Sequence, residues 1–192
     1  MLYLKKGSHA PLASTLEQGF VIHENEICAN VHVQLLGDIC LRFIMHNRDK
    51  KIYFYLETPD GLKKEVDTGS DNCVKNAVQS YRIDFPKAEN ACSLLFYFSD
   101  LLMSDGLCAF KFGTDDGEEL EIGKYNIVKV RGEDISAYRQ IFEKLDICEK
   151  SRLITAYDTF SKQSRGISRS TSFKGYTVLD IPEMLKVYGI IE

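Results

Sequence analysis

The stretch from Ile27 to His46, ICANVHVQLLGDICLRFIMH, decides how this chain is read. In its first half every second residue is apolar: Ile27, Ala29, Val31, Val33 and Leu35 share one side, Cys28, Asn30, His32 and Gln34 the other. That alternation is the mark of a half-buried strand. The second half repeats it, with Ile39, Leu41, Phe43 and Met45 in step. The two halves predict a hairpin whose loop is Leu36, Gly37 and Asp38, with Val33 opposite Leu41 and His32 opposite Arg42.

Downstream, Ile52, Phe54 and Leu56 alternate with Tyr53 and Tyr55, and the turn signal Thr58, Pro59, Asp60, Gly61 leads into Leu62 to Val66. Proline pre-sets φ and glycine takes the left-handed position, so a tight turn is expected, with Glu57 across from Lys63. These four runs predict an antiparallel meander. The period then changes: Cys73, Val74, Ala77, Val78 and Tyr81 have helical spacing behind Ser70 or Asp71. Tyr81, Ile83 and Phe85 read as a short strand, and Leu94, Leu95, Phe98, Leu101 and Leu102 as a buried helix. Strands are expected at Leu107 to Phe112, Leu120 to Ile122 and Tyr125 to Val130, with a hairpin turn at Thr114 to Gly117.

The last third reads as helical. Ile135, Tyr138, Ile141, Phe142 and Leu145 mark one amphipathic helix, and Leu153, Ile154, Tyr157 and Phe160 a second. A final short helix is capped by Asp180, with Pro182 near its start and Met184, Leu185 and Tyr188 on its apolar side. The fold class is therefore α+β: a mostly antiparallel sheet of about seven strands, meander plus hairpins, with one or two inserted helices and a helical C-terminal third. The division expected is a β-rich domain over 1–132 and a helical region over 133–192 packed on it. A sheet closed by the helix at Ile135 to Leu145 resembles pleckstrin-homology-like domains in element order, although the helical insertion between Pro86 and Met103 departs from that plan. That resemblance carries no functional residues across.

A net charge of −4 and pI near 5.6 provide no general basic field, so nucleic acid is not an expected partner. No apolar run is long enough for a membrane span, no signal-peptide h-region is visible at the start, and a cytoplasmic protein is expected. The six cysteines, Cys28, Cys40, Cys73, Cys92, Cys108 and Cys148, lie scattered without a C-x-x-C pair. They read as free thiols. Phosphate-loop, dinucleotide, zinc-protease, EF-hand and nucleophile-elbow signatures are all missing, so no catalytic residue and no cofactor is assigned.

Four features remain as candidates. All four histidines, His9, His23, His32 and His46, fall in the first quarter of the chain. Their spacing fits no metal-ligand set, so no metal is assigned, and His23 with Glu24 and Glu26 is the loosest such grouping. The acidic turn Asp115, Asp116, Glu118, Glu119 and Glu121 reads as a charged hairpin tip. The outer face of the meander carries Asn30, His32, Arg42, Tyr53 and Tyr55, and tyrosine and arginine supply large contact area with a polar end. The segment 162–174 brings Lys162, Arg165, Arg169 and Lys174 together with serines and no acid, groups suited to an anion, on what reads as an exposed loop. The function expected is a non-catalytic protein-binding module, an adaptor, inhibitor or toxin-neutralising immunity-type protein, acting through the tyrosine- and arginine-bearing face. The alternative is an enzyme or binding protein for a phosphorylated or nucleotide ligand, using the basic loop with His32 or His46 as base.

Overall fold

The computed structural model describes residues 2–59, 64–67 and 78–187, with the backbone alone at 64, 65, 67 and 187. The chain is α+β and is built on a seven-stranded antiparallel sheet. Its strands are β2 (Gly19–His23), β3 (Glu26–Asn30), β4 (Ile52–Pro59), β6 (Val78–Phe85), β7 (Ala109–Thr114), β8 (Glu119–Ile122) and β9 (Ile127–Arg131), in the spatial order β2-β3-β9-β8-β7-β4-β6. A three-stranded sheet of order β1-β10-β5 joins β1 (Ser8–His9), β10 (Gly166–Arg169) and β5 (Lys64–Asp67). The helices are α1 (Leu36–His46), α2 (Ala88–Leu102), α3 (Ile135–Glu143) and α4 (Ile181–Val187).

Period-two alternation gives the large sheet two unlike faces. Two inward rows cross all seven strands: Ile83, Phe54, Phe112, Leu120, Val130, Ile27 and Ile22, then Tyr81, Leu56, Phe110, Ile122, Val128, Ala29 and Phe20. All but Ile22 and Tyr81 are buried, under α1, α2 and α3. Tyr138, Phe142, Ile147, Val178, Ile181 and Leu185 join that same core, so the C-terminal region shares it with the sheet. On the other face a small second core of Leu2, Ala10, Leu16, Tyr125, Ala156 and Phe160 lies under part of the chain.

The predicted second strand is a helix. Leu36, Ile39, Cys40, Phe43 and Ile44 are buried, at positions i, i+3, i+4, i+7 and i+8, while Met45, predicted inward, is 46% exposed. Ile39 and Phe43 satisfy both periods, and Cys40 and Ile44 decide between them. Val33 therefore does not face Leu41, and His32 does not face Arg42. Residues 33–35 form a 3-10 turn, with the His32 Nδ1 accepting from the Gln34 N–H as its cap. Because α1 and α2 both precede the last strands, the order of pleckstrin-homology-like domains is not followed either.

The four-strand meander is replaced by longer-range pairing. β4 lies between β6 and β7, where Glu57 faces Ser80 and Ala109, and β5 belongs to the other sheet. The turn at Asp60, Gly61, its partner Lys63 and most of the helix expected from Cys73 lie outside the described residues, but Val78 and Tyr81 are in strand β6. The short strand at 81–85, the buried helix ending at Leu102, the Thr114–Gly117 turn with its flanking strands, and α3 match the reading of the sequence. The C-terminal third is less helical than expected. Residues around Leu153 to Phe160 hold one 3-10 turn, Tyr157–Thr159, and the exposed loop of 162–174 contains β10, whose Gly166 and Ser168 are buried.

One asparagine sets the position of the N-terminal segment. Asn126, fully buried at φ +60°, follows Tyr125 at φ +55° in the turn between β8 and β9. Its side-chain oxygen accepts from the Lys5 N–H at 2.9 Å, and its Nδ2 donates to the carbonyls of Tyr3 and Val31, each at 2.9 Å. The left-handed region is open to asparagine at modest cost, and the carboxamide satisfies backbone groups that burial would otherwise orphan. The Val33 N–H then donates to Tyr3 O, so residues 3–5 lie against the exit of β3.

Helical burial of α1 fixes the outcome of paired substitutions. Ile44→Ala should cost about 2–5 kcal/mol in urea unfolding, and Met45→Ala should stay within about 0.5 kcal/mol. A strand in this place would reverse the order.

Candidate functional site

Three places gather polar side chains: the open face of the large sheet, a network where the β7–β8 turn meets α3, and a cleft beside the N-terminal segment. The open face carries two rows. One runs Arg82, Tyr55, Lys111, Glu121, Lys129, Cys28, Val21, and the other Asp84, Tyr53, Gly113, Glu119, Arg131, Glu26, His23. The acids of β8 stand between the cations of β7 and β9. Lys111 Nζ lies 3.3 Å from both Glu119 and Glu121, and Arg131 is paired to Glu26. Burial works against the Lys111 charge, but the two carboxylates outweigh it and hold the ammonium above the ordinary lysine range. Cross-strand charge pairs of this kind stabilise a sheet face modestly and keep it soluble.

Tyr53 is the fixed point of that face. Its ring lies across Gly113, where any Cβ would collide with it. The Arg82 guanidinium stacks on the same ring at 4.2 Å from the centroid, and the phenol donates to Glu119 at 3.2 Å. Burial, then the Glu119 carboxylate, push the Tyr53 phenol up. Arg82 in turn reaches Asp84 at 2.9 Å and Asp115 at 3.6 Å. A stacked, multiply bonded arginine is held in one geometry, which lowers the entropy lost when it makes a further contact.

The surface expected from the sequence is only partly assembled. Tyr53 and Tyr55 share the open face, but β3 is four strands away from β4, ~19 Å by strand spacing. Asn30 on β3 is 1% exposed, its Nδ2 donating to Glu17 O and Ile154 O, so it is a structural tie. His32 caps the 3-10 turn, and Arg42 is exposed on α1, in the helical layer on the opposite side. The ~16 Å length of α1 separates His32 from His46. Arg82 is the residue that sequence reading missed. Its signal was present in the alternation of Tyr81, Ile83 and Phe85, which sends Arg82 and Asp84 to the face of Tyr53 and Tyr55.

The basic segment is also redistributed. Arg165 immediately precedes β10 and Arg169 ends it, ~13 Å apart along an extended chain. The Arg165 Nε donates to Lys162 O, and Lys174 occupies a left-handed turn position at φ +51° between the paired Phe173 and Tyr176. The four cations are spread along the segment and do not converge on one point. In the acidic turn, Asp115 meets Arg82 while Asp116 and Glu118 meet Lys50. Among the described residues no group of three or more His, Cys, Asp or Glu could hold a metal ion, the grouping around His23 included. No described helix is long and apolar enough to cross a membrane.

Where the β7–β8 turn meets α3, Glu118 is 7% exposed and its Oε1 accepts from the Glu133 N–H. Asn47, capping α1, donates to Phe43 O and to the Tyr138 hydroxyl. Burial pushes the Tyr138 phenol up, the bond from Asn47 opposes this, and the Glu118 carboxylate adds to it. The network joins α1, α3 and the hairpin, and a phenol held protonated serves it as a neutral hydrogen-bonding group.

The cleft lies between the N-terminal segment, the 3-10 turn at 33–35 and the end of α2. It encloses about 550 Å³ and is lined by residues that include Tyr3, Lys6, His32, Gln34, Met103 and Ser104. The His32 ring meets Tyr3 edge-on, with centroids 5.0 Å apart. Behind this segment Lys5 points the other way. It is 1% exposed, its Nζ has no hydrogen-bond partner among the described residues, and it lies 5.4 Å from the centre of the Phe110 ring. Burial pushes the Cys40 and Cys108 thiols up to about 12, against the opposing charge of Lys5.

Two measurements follow from these environments. An ammonium buried without a partner costs free energy, so Lys5→Met, which keeps the backbone N–H to Asn126, should raise stability by about 1–3 kcal/mol in urea unfolding. Iodoacetamide near neutral pH should modify the exposed Cys148 in the native protein and leave Cys40 and Cys108 unmodified until unfolding, because the thiolate is the nucleophile.

Compared with protein-family models, curated proteins and solved structures, the chain finds no match in any of the three.

Proposed function

We propose that this chain is a non-catalytic protein-binding module, of adaptor, inhibitor or toxin-neutralising immunity type, and that it docks through the open face of the seven-stranded sheet. The observation that carries this reading is the Tyr53–Arg82 stack, held by Gly113 beneath and by Glu119 and Asp84 at its edges, with Tyr55 beside it. Aromatic and arginine side chains fixed before binding are the usual anchors of protein interfaces. The surrounding charges alternate in sign, which suits a protein surface of matching pattern better than a polyanion. An occluding role needs no catalytic cluster, and its mechanism is the covering of a partner's surface by these anchors.

The test compares two single charge reversals on opposite sides of the molecule. Immobilised wild-type chain and the variants Arg82→Glu and Arg42→Glu are exposed to extract of the source cells. A stoichiometric partner is expected on the wild type and on Arg42→Glu, with affinity reduced at least about tenfold on Arg82→Glu, the size of a hot-spot loss. Absence of any stoichiometric partner, or equal loss from both variants, removes the proposal.

A further inference from the structure

The cleft beside the N-terminal segment has a chemistry that the protein-binding reading does not use. The Tyr3 phenol, the Lys6 ammonium and the Gln34 carboxamide make no side-chain hydrogen bond or ion pair with any described residue, and no acid is among the described residues that line the cleft. His32 adds a donor of fixed direction. Its Nδ1 accepts from the Gln34 N–H, so a neutral ring must carry its proton on Nε2, and a charged ring carries one there as well. Nε2 is a donor in either state. The Ser104 hydroxyl is already engaged, by Asp100 O at 2.5 Å and the Thr171 hydroxyl at 3.0 Å.

The apolar part of the cleft is as specific as the polar part. Tyr3 and His32 meet edge to face at 61°, and Met103 provides a polarisable thioether wall. An aromatic ring suits such walls, through ring contacts and sulfur contacts. A volume of about 550 Å³ is in the range of small-molecule sites. Asn126 holds Tyr3 O and Val31 O in place, so the two ring-bearing walls are tied to one buried side chain and the site is formed before any ligand arrives.

We infer that the cleft formed by Tyr3, Lys6, His32, Gln34 and Met103 is a binding site for a small aromatic oxyanion, a planar ring bearing one carboxylate or phosphate group. The anion is received by Lys6 and by His32 Nε2, and the ring lies between Tyr3 and Met103. The inference is independent of the sheet face: neither depends on residues of the other.

Titration of the full-length chain, followed by amide chemical shifts, tests it with four probes: phenyl phosphate, benzoate, inorganic phosphate and phenol. At least one of the two aryl anions should shift the His32 and Gln34 amides, with a Kd about tenfold or more below those of inorganic phosphate and phenol. The stronger of the two identifies the anion preferred. Lys6→Gln, at an exposed position, should give an otherwise unchanged spectrum and weaken the aryl anion about tenfold. Lys174→Gln should bind as the wild type does. The proposal is overturned if neither aryl anion moves these amides, if phenol binds as tightly as the anions, or if Lys6→Gln binds as the wild type does.

Discussion

The carboxamide of Asn126 is the interaction on which the arrangement of this molecule depends. A turn with two consecutive left-handed residues, Tyr125 and Asn126, turns β8 into β9 and leaves a buried side chain facing the N-terminal segment. Three hydrogen bonds from that single group fix Lys5, Tyr3 and Val31 at once. Because Tyr3 then accepts from the Val33 N–H, the same group determines where β3 ends and where the 3-10 turn before α1 begins. The cleft walls, the entry of α1 and the inward course of Lys5 are all consequences. The Tyr125 ring, packed edge-on against Tyr157 and Phe160, holds the other side of the turn in the smaller core.

The sheet divides the labour between its faces. Helices cover the face with the apolar rows, and the amphipathic stripe of α1 does so because its buried residues recur every three or four positions. The opposite face is closed only in part, by the smaller core and by the segment near Ile154 that ties to Asn30. Among the described residues, no second layer packs over the region around β4, β6, β7 and β8. The paired charges there find their partners on the same strand, as Arg82 does in Asp84, or on a neighbouring strand or turn, so the face is ordered by its own side chains. An ordered face with a stacked arginine and two tyrosines differs from an ordinary solvated surface in being fixed in advance of contact.

The sequence made the fold class legible, and it misled in definable places. Strands with clean alternation, such as Phe110 with Phe112 and Leu120 with Ile122, appear where the pattern puts them. Between Ile39 and Met45 both periods fit Ile39 and Phe43, and only long-range packing chose Cys40 and Ile44 over Leu41 and Met45. The reading of a shared face for His32, Arg42 and Tyr55 failed with that choice. Around Leu153 to Phe160 the helical spacing is accidental: Ile154 and Tyr157 are each 44% exposed, while Ala156 and Phe160 pack into the smaller core. The serine-rich segment concealed a strand because Gly166 is covered by Phe160 and Tyr125, a contact that composition does not express. The cleft was invisible in the sequence, since its walls come from residues about 100 positions apart, Tyr3 and Met103.

Native-state hydrogen exchange at the Lys5 and Val33 amides tests the role of Asn126 most directly. If this carboxamide holds the N-terminal segment to β3 and the β8–β9 turn, both amides should be protected to nearly the level of the Leu120 amide in the centre of the sheet. Exchange of Lys5 and Val33 at the rate of an unstructured chain, with Leu120 still protected, would contradict the account.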